Sequence, residues 1–142
     1  MKYFVDTWGW IALVNKKEEK NDIVIKKFYE IIGTDKLYTS DYILDETITN
    51  LSNWIGFDKL KVFMENLDEN IKSGDLNLLW VGKEIFYKAK EYRLTFNDKL
   101  EISFTDLTSM ALMKQNKITE IITEDSHFEQ VGMKFNALFK KV

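Results

Sequence analysis

The most constraining feature of this chain is an alternation. Short apolar runs that stop on an acid or a turn residue are separated by longer stretches of helical periodicity. Runs of four to six residues suit buried strands, and the stretches between them carry apolar residues three and four apart, as amphipathic helices do. Strands are predicted at Lys2–Val5, Lys36–Thr39, Leu76–Val81 and Glu120–Thr123, with a last, edge strand within Met133–Phe139. Helices are predicted over Thr7–Val14, Asp22–Ile32, from Ser40 or Asp41 to Asn53, over Phe57–Ile71, from Gly82 through Tyr92, and over Thr105–Gln115. The segment Asn97–Phe104 reads as a loop, and Ser126 with Glu129 reads as a capping box on one short turn before Gly132. Strands alternating with helices give an α/β three-layer sandwich: a mostly parallel sheet of four or five strands, flanked by helices.

No proline, no Gly/Ser-rich stretch and no repeat marks a linker in the 142 residues, so one domain is expected over 1–142. With 45% apolar residues a core can form, and a formal net charge of -3 is neither that of a basic nucleic-acid arm nor that of an acidic disordered tail. The chain has no cysteine, which excludes disulfides, zinc–thiolate sites and cysteine nucleophiles, and fits a cytoplasmic location. Its one histidine, His127, excludes multi-histidine metal sites. No secretory leader is expected from Met1–Asp6, and no run of about 18 apolar residues suggests a membrane span. Of 20 basic residues only Arg93 is an arginine, so contact with nucleic acid would be through the backbone rather than by arginine reading of bases.

In open α/β sheets ligands sit beyond the carboxyl ends of the strands. Asp6 follows the first strand, Asp125 follows the fourth, Asp106 opens a helix, and Glu46 lies on the helix after the second strand. Taken singly, each has an ordinary explanation: a turn, a cap, a solvated helix face. Gathered together they would repel one another, and hard divalent cations with their preference for oxygen ligands relieve that repulsion. Such ions can clamp a phosphodiester and activate water, so no protein nucleophile is needed. Periodicity does not choose among Asp41, Asp45 and Glu46, or between Glu124 and Asp125.

Four blocks, in order along nearly the whole chain, resemble the PIN-domain family and, within it, the VapC-type toxin nucleases. They are Phe4-Val5-Asp6-Thr7, the segment from Thr39 to Asp45-Glu46, Phe104-Thr105-Asp106 through Met113, and Thr123-Glu124-Asp125-Ser126-His127-Phe128. The resemblance implies a PIN-like fold and a Mg²⁺-dependent endoribonuclease, with Mn²⁺ as a substitute. Asp6, Glu46 and Asp106 would be metal ligands, and Asp125 would complete the pocket directly or through water. Thr7 and Thr123 would orient the carboxylates. The implied reaction is in-line attack by activated water, leaving a 5′-phosphate and a 3′-hydroxyl. The resemblance chooses Glu46 and Asp125 over their neighbours, with Glu124 as a further contributor. It also implies an RNA substrate, an antitoxin partner of a type II toxin–antitoxin pair, and a homodimer.

Two other functions compete. A receiver-like phosphoacceptor domain needs an Asp where the third strand ends, and Trp80-Val81-Gly82-Lys83 has none. A catalytically silent, RNA-binding PIN domain is disfavoured by the presence of all four acids. His127 reads as structural, and the Lys16–Lys20 stretch as a solvated loop. The tryptophans read as packing, with Trp8 and Trp10 the best placed of the four for substrate or dimer contact. The apolar faces of Asp22–Ile32 and Phe57–Ile71 exceed what one domain covers, so a dimer or a partner segment would cover the excess.

Overall fold

The computed structural model describes residues 1–141. Val142, the last residue of the expected domain, lies outside the described residues. The elements follow in the order β1 (Lys2–Val5), α1 (Thr7–Val14), α2 (Asn21–Ile31), β2 (Lys36–Ser40), α3 (Asp41–Ser52), α4 (Phe57–Ser73), β3 (Leu76–Leu79), α5 (Lys83–Thr95), α6 (Phe104–Gln115), β4 (Glu120–Ile122) and β5 (Asn136–Ala137). A 3-10 turn, Ser126–Glu129, sits between β4 and β5. The five strands form one sheet in the order β3-β2-β1-β4-β5, and every pairing is parallel. This is the expected α/β architecture, with all five strands present.

The strand order sets where a site can form. From β1 the chain steps outward to β2 and β3, then returns across β1 to place β4 on its other side. Parallel crossovers are right-handed almost without exception, so this order puts the point where the winding reverses at the carboxyl ends of β1 and β4, where ligands of such sheets bind. These two strands are central and buried on both sides. Phe4, Val5, Ile121 and Ile122 are wholly inaccessible.

Several boundaries differ from the sequence reading for physical reasons. β3 stops at Leu79 instead of Val81. Trp80 is exposed, and the Val81 amide donates to Asp41 Oδ1 at 2.9 Å instead of continuing the ladder. In α3 the core-facing line is Ile43, Thr47 and Leu51, flanked by Leu44 and Ile48. The periodicity missed Thr47, whose hydroxyl is satisfied by the Ile43 carbonyl at 2.7 Å. The expected capping box at Ser126 and Glu129 does not form. Asp125 caps that turn by accepting the His127 amide at 2.8 Å, and Glu129 accepts the Ala137 amide at 3.0 Å, tying the turn to edge strand β5. Lys20 does not lie free in its loop. Its ammonium donates to the Phe139 carbonyl at 2.7 Å and stands over the Trp8 ring. Trp10 belongs to the core: it packs on Phe28 and Phe63 and donates from Nε1 to Thr39 Oγ1 at 3.1 Å, so it is closed to a substrate or a second subunit.

The excess apolar surface falls where the helical patterns placed it. Between α2 and α4 runs a groove of about 540 Å³, with Val14, Ile25, Tyr29, Ile32, Val62 and Leu67 among its lining residues.

Candidate active site

Asp6 is placed by two strands at once. Its amide donates to the Ile122 carbonyl at 3.2 Å, extending the β1–β4 ladder by one residue, and its carbonyl then accepts the Trp10 amide as α1 begins. α1 lies so close to the strand ends that Gly9 has no room for a side chain. A Cβ there would meet the Ile122 carbonyl oxygen at 2.7 Å and Val5 at 2.9 Å. The Asp6 carboxylate does not cap α1, although its residue holds the N-cap position. Instead Oδ2 accepts the Thr123 hydroxyl at 2.8 Å. The same Thr123 oxygen accepts the Asp125 amide at 3.1 Å, so one wholly buried hydroxyl joins the acids that follow β1 and β4. The Thr7 hydroxyl is also buried, and no hydrogen bond satisfies it among the described residues.

Asp106 stands in the first turn of α6, which starts at Phe104, one residue before the predicted start. The cap is Ser103, whose Oγ accepts the Asp106 amide at 3.0 Å. Glu46 lies one turn into α3, half-buried, and its charge acts on both Asp6 and Asp106. The choice that periodicity left open is thereby narrowed: Asp41 is taken by Val81, and Asp45 is exposed to solvent. On the other side Glu124 pairs with Lys141 at 3.5 Å, while Asp125 acts on Asp106.

Electrostatics mark the cluster as strained. Burial first, and the Asp106 charge second, push the Asp6 carboxyl up to about 7, against the Thr123 hydroxyl and the Thr7 amide, which lower it; Glu46 adds to the rise. Burial, then the charge of Asp125, raise Asp106 to about 6, against hydrogen bonds from Ser103. The charges acting on both groups are carboxylates, so their mutual repulsion is opposed by hydrogen bonds rather than by a cationic side chain among the described residues.

His127 joins this cluster, which the sequence reading did not foresee. One ligand atom from each of Asp106, Asp125 and His127 lies within 4.8 Å of the other two, and His127 Nδ1 is 2.9 Å from Asp125 Oδ1. The signal was present in Asp125-Ser126-His127: a histidine two residues past an acid, on a turn which that acid itself caps. A set of carboxylate oxygens, those of Asp6 and Asp106 at raised pKa, plus one imidazole, fits a hard or borderline divalent cation, whose charge would offset the repulsion. Beside Glu46 an open depression of about 410 Å³ is lined by Tyr42, Asp45, Thr49, Asn50 and Thr105.

The comparisons with known proteins agree with this geometry. The PIN domain family model matches residues 3–134. The structure is similar to VapC20 of Mycobacterium tuberculosis, described as a sarcin-ricin loop cleaving toxin. That match has 25% identity and a TM-score of 0.76, and covers 92% of this chain and 95% of that one. It also resembles VapBC2 from Rickettsia felis, bound to a fragment of its promoter DNA, with 17% identity, a TM-score of 0.69 and coverage of 93% and 94%. DNA-bound VapBC from Salmonella typhimurium matches at 13% identity and a TM-score of 0.68, covering 96% of each chain. No curated protein sequence matches the chain. With a family model spanning all but its ends and a VapC toxin fold over more than nine-tenths of its length, the chain belongs to the PIN domain family.

Proposed function

We propose that this chain is a divalent-cation-dependent endoribonuclease, acting as the toxin of a type II toxin–antitoxin pair. The observation that carries this reading is the meeting of Asp6, Glu46, Asp106 and Asp125 beyond β1 and β4, with Asp6 and Asp106 held at raised pKa. Mg²⁺ is the proposed cofactor, with Mn²⁺ as a substitute. When bound, the cation supplies charge neutralisation and acidifies water near neutral pH. Asp6, Glu46, Asp106 and Asp125 would hold it, and Thr123 would keep Asp6 ionised and oriented. Hydrolysis forms a bond from water oxygen to phosphorus and breaks the bond from phosphorus to O3′, leaving a 5′-phosphate and a 3′-hydroxyl. The depression beside Glu46 gives room for a nucleotide next to the scissile phosphate.

The partner of this reading is an antitoxin, which would cover the apolar groove between α2 and α4. The reading also expects a homodimer, which sedimentation of the purified chain tests. The likeness to VapC20 makes a sarcin-ricin loop RNA the first substrate to try. Purified protein should cleave RNA with Mg²⁺ or Mn²⁺ and stop with EDTA, while Asp6→Asn and Asp106→Asn should each abolish cleavage and keep the fold. Undiminished cleavage by both variants would reject the proposal.

A further inference from the structure

Nineteen of the twenty basic residues are lysine, and the single arginine is placed inside the molecule's framework. Arg93 lies near the carboxyl end of α5 and makes no ion pair with a carboxylate among the described residues. Its guanidinium serves backbone carbonyls instead. Nη1 donates to Ile102 O at 2.5 Å, and Nη2 donates to Phe96 O at 3.0 Å and Lys99 O at 2.7 Å. These acceptors are three residues apart. The loop between them winds through turns in which the Lys99 amide bonds the Phe96 carbonyl and the Ile102 amide bonds the Lys99 carbonyl. The guanidinium therefore closes the coil of residues 96–102 on one planar fork. An ammonium, a compact charge on a flexible stem, has no such fixed set of donor directions.

The clasp ends one residue before the site. Ile102 is wholly buried, and Ser103 follows it as the cap of α6. Ser103 accepts the Asp106 amide and holds the Asp106 carboxyl down by its own hydrogen bonds. On the other side of Ser103, the Phe104 ring packs on Phe86 of α5 with centroids 5.2 Å apart. The first turn of α6 is thus tied to α5 on both flanks of its cap.

We infer that Arg93 is a positioning residue of the active site: by holding the carbonyls of Phe96, Lys99 and Ile102 it fixes where Ser103 starts α6, and so where Asp106 presents its carboxylate. The inference rests on the proposed nuclease reading. It predicts that loss of the clasp is felt at the cation and in turnover rather than in RNA affinity, because the guanidinium is engaged by the Phe96, Lys99 and Ile102 carbonyls and Arg93 is not among the acids proposed to hold the cation.

The test compares the wild-type chain with Arg93→Lys and Arg93→Ala, each held well below its own melting midpoint. Mg²⁺ affinity is measured by titration calorimetry without RNA, and kcat and KM are measured separately with RNA. Mg²⁺ binding should weaken and kcat should fall by about tenfold or more, as for other groups that orient metal ligands, with KM little changed. Methylguanidine at millimolar concentration should restore part of the Mg²⁺ affinity of Arg93→Ala and leave the wild type unaltered. If Arg93→Ala does not fold, Arg93→Lys keeps charge and most of the volume and gives the same readouts. Folded variants with wild-type Mg²⁺ affinity and kcat, even at a lower melting temperature, would overturn the inference alone. A wild-type chain that neither binds Mg²⁺ nor cleaves RNA would overturn the nuclease reading and this inference with it.

Discussion

Replacing Thr123 by Val removes one hydroxyl from the centre of the site and little else. The side chain is wholly buried, and Val has nearly its shape. The hydroxyl donates to Asp6 Oδ2 at 2.8 Å, a bond to a group that must be ionised to hold a cation. Hydrogen bonds to charged groups contribute roughly 1.5–3 kcal/mol, which corresponds to proton binding by Asp6 that is about ten- to a hundredfold tighter once the bond is gone. The bond is made to the ionised carboxylate with or without a cation, so what changes is competition from the proton. Asp6 already titrates at about 7, and apparent Mg²⁺ affinity at pH 7 should therefore drop by about five- to fiftyfold. At pH 9 protons compete little, and the deficit should shrink to about twofold or less. Mg²⁺ titrations of binding and of RNA cleavage at both pH values measure this directly. Thr123→Ser, which keeps the donor, should stay near wild type. An unchanged Mg²⁺ dependence at pH 7, or a deficit of the same size at pH 9, would refute the assignment of Thr123 as the group that keeps Asp6 ionised.

Two further outcomes follow from the same geometry. In EDTA the protein should lose stability as pH rises from 5 to 8. The carboxyls of Asp6 and Asp106 titrate at about 7 and about 6 in the folded chain against 3.8 for an ordinary Asp, so their protonated forms favour folding. That contribution is whole below about pH 4 and lost as pH passes through those values, on the order of 4 kcal/mol for Asp6. Melting curves should show the fall, with Mg²⁺ reversing it at pH 8 and Asp6→Asn flattening it; a midpoint that climbs with pH over this range would contradict the burial argument. Gly9→Ala should cost about 1–3 kcal/mol in chemical denaturation, because the new methyl meets the Ile122 carbonyl at 2.7 Å. A variant as stable as wild type would mean that α1 does not lean on the strand ends as described.

The strands and helices were legible because apolar spacing follows from which face is buried, and the central strands are buried on both faces. What failed was local hydrogen bonding. Nothing in the spacing shows that Val81 leaves the ladder to reach Asp41, that Asp125 rather than Ser126 caps the last turn, or that Thr47 occupies a core position by bonding its own helix. Trp10 misled by its position next to Asp6: one turn into α1 its ring already points inward, on Phe28 and Phe63. The acids could be singled out from the sequence as candidates, but most of the residues that hold them could not. Thr123 could be named by family pattern, whereas Ser103, His127 and Arg93 act through contacts made across 2 to 21 residues, whose geometry only the fold sets.

A cluster of buried carboxylates works against folding, so the chain must hold it with parts that do not yield. The two strands that carry Asp6 and Asp125 are the most enclosed in the sheet, and Gly9 lets α1 rest directly on their ends. Thr123 links Asp6 to Asp125 through one oxygen, and Ser103 caps Asp106 at the end of a loop clasped by Arg93. The strands and Gly9 act by close packing, while Thr123, Ser103 and Arg93 act by hydrogen bonds to the backbone or to the acids. Under the proposed nuclease reading, such supports and repelling carboxylates would make a site whose strain is relieved by cation binding and not by movement of the side chains. Substitutions in the supports should therefore register first as weaker cation binding at neutral pH, while substitutions of the acids should register as greater stability without cation and no catalysis.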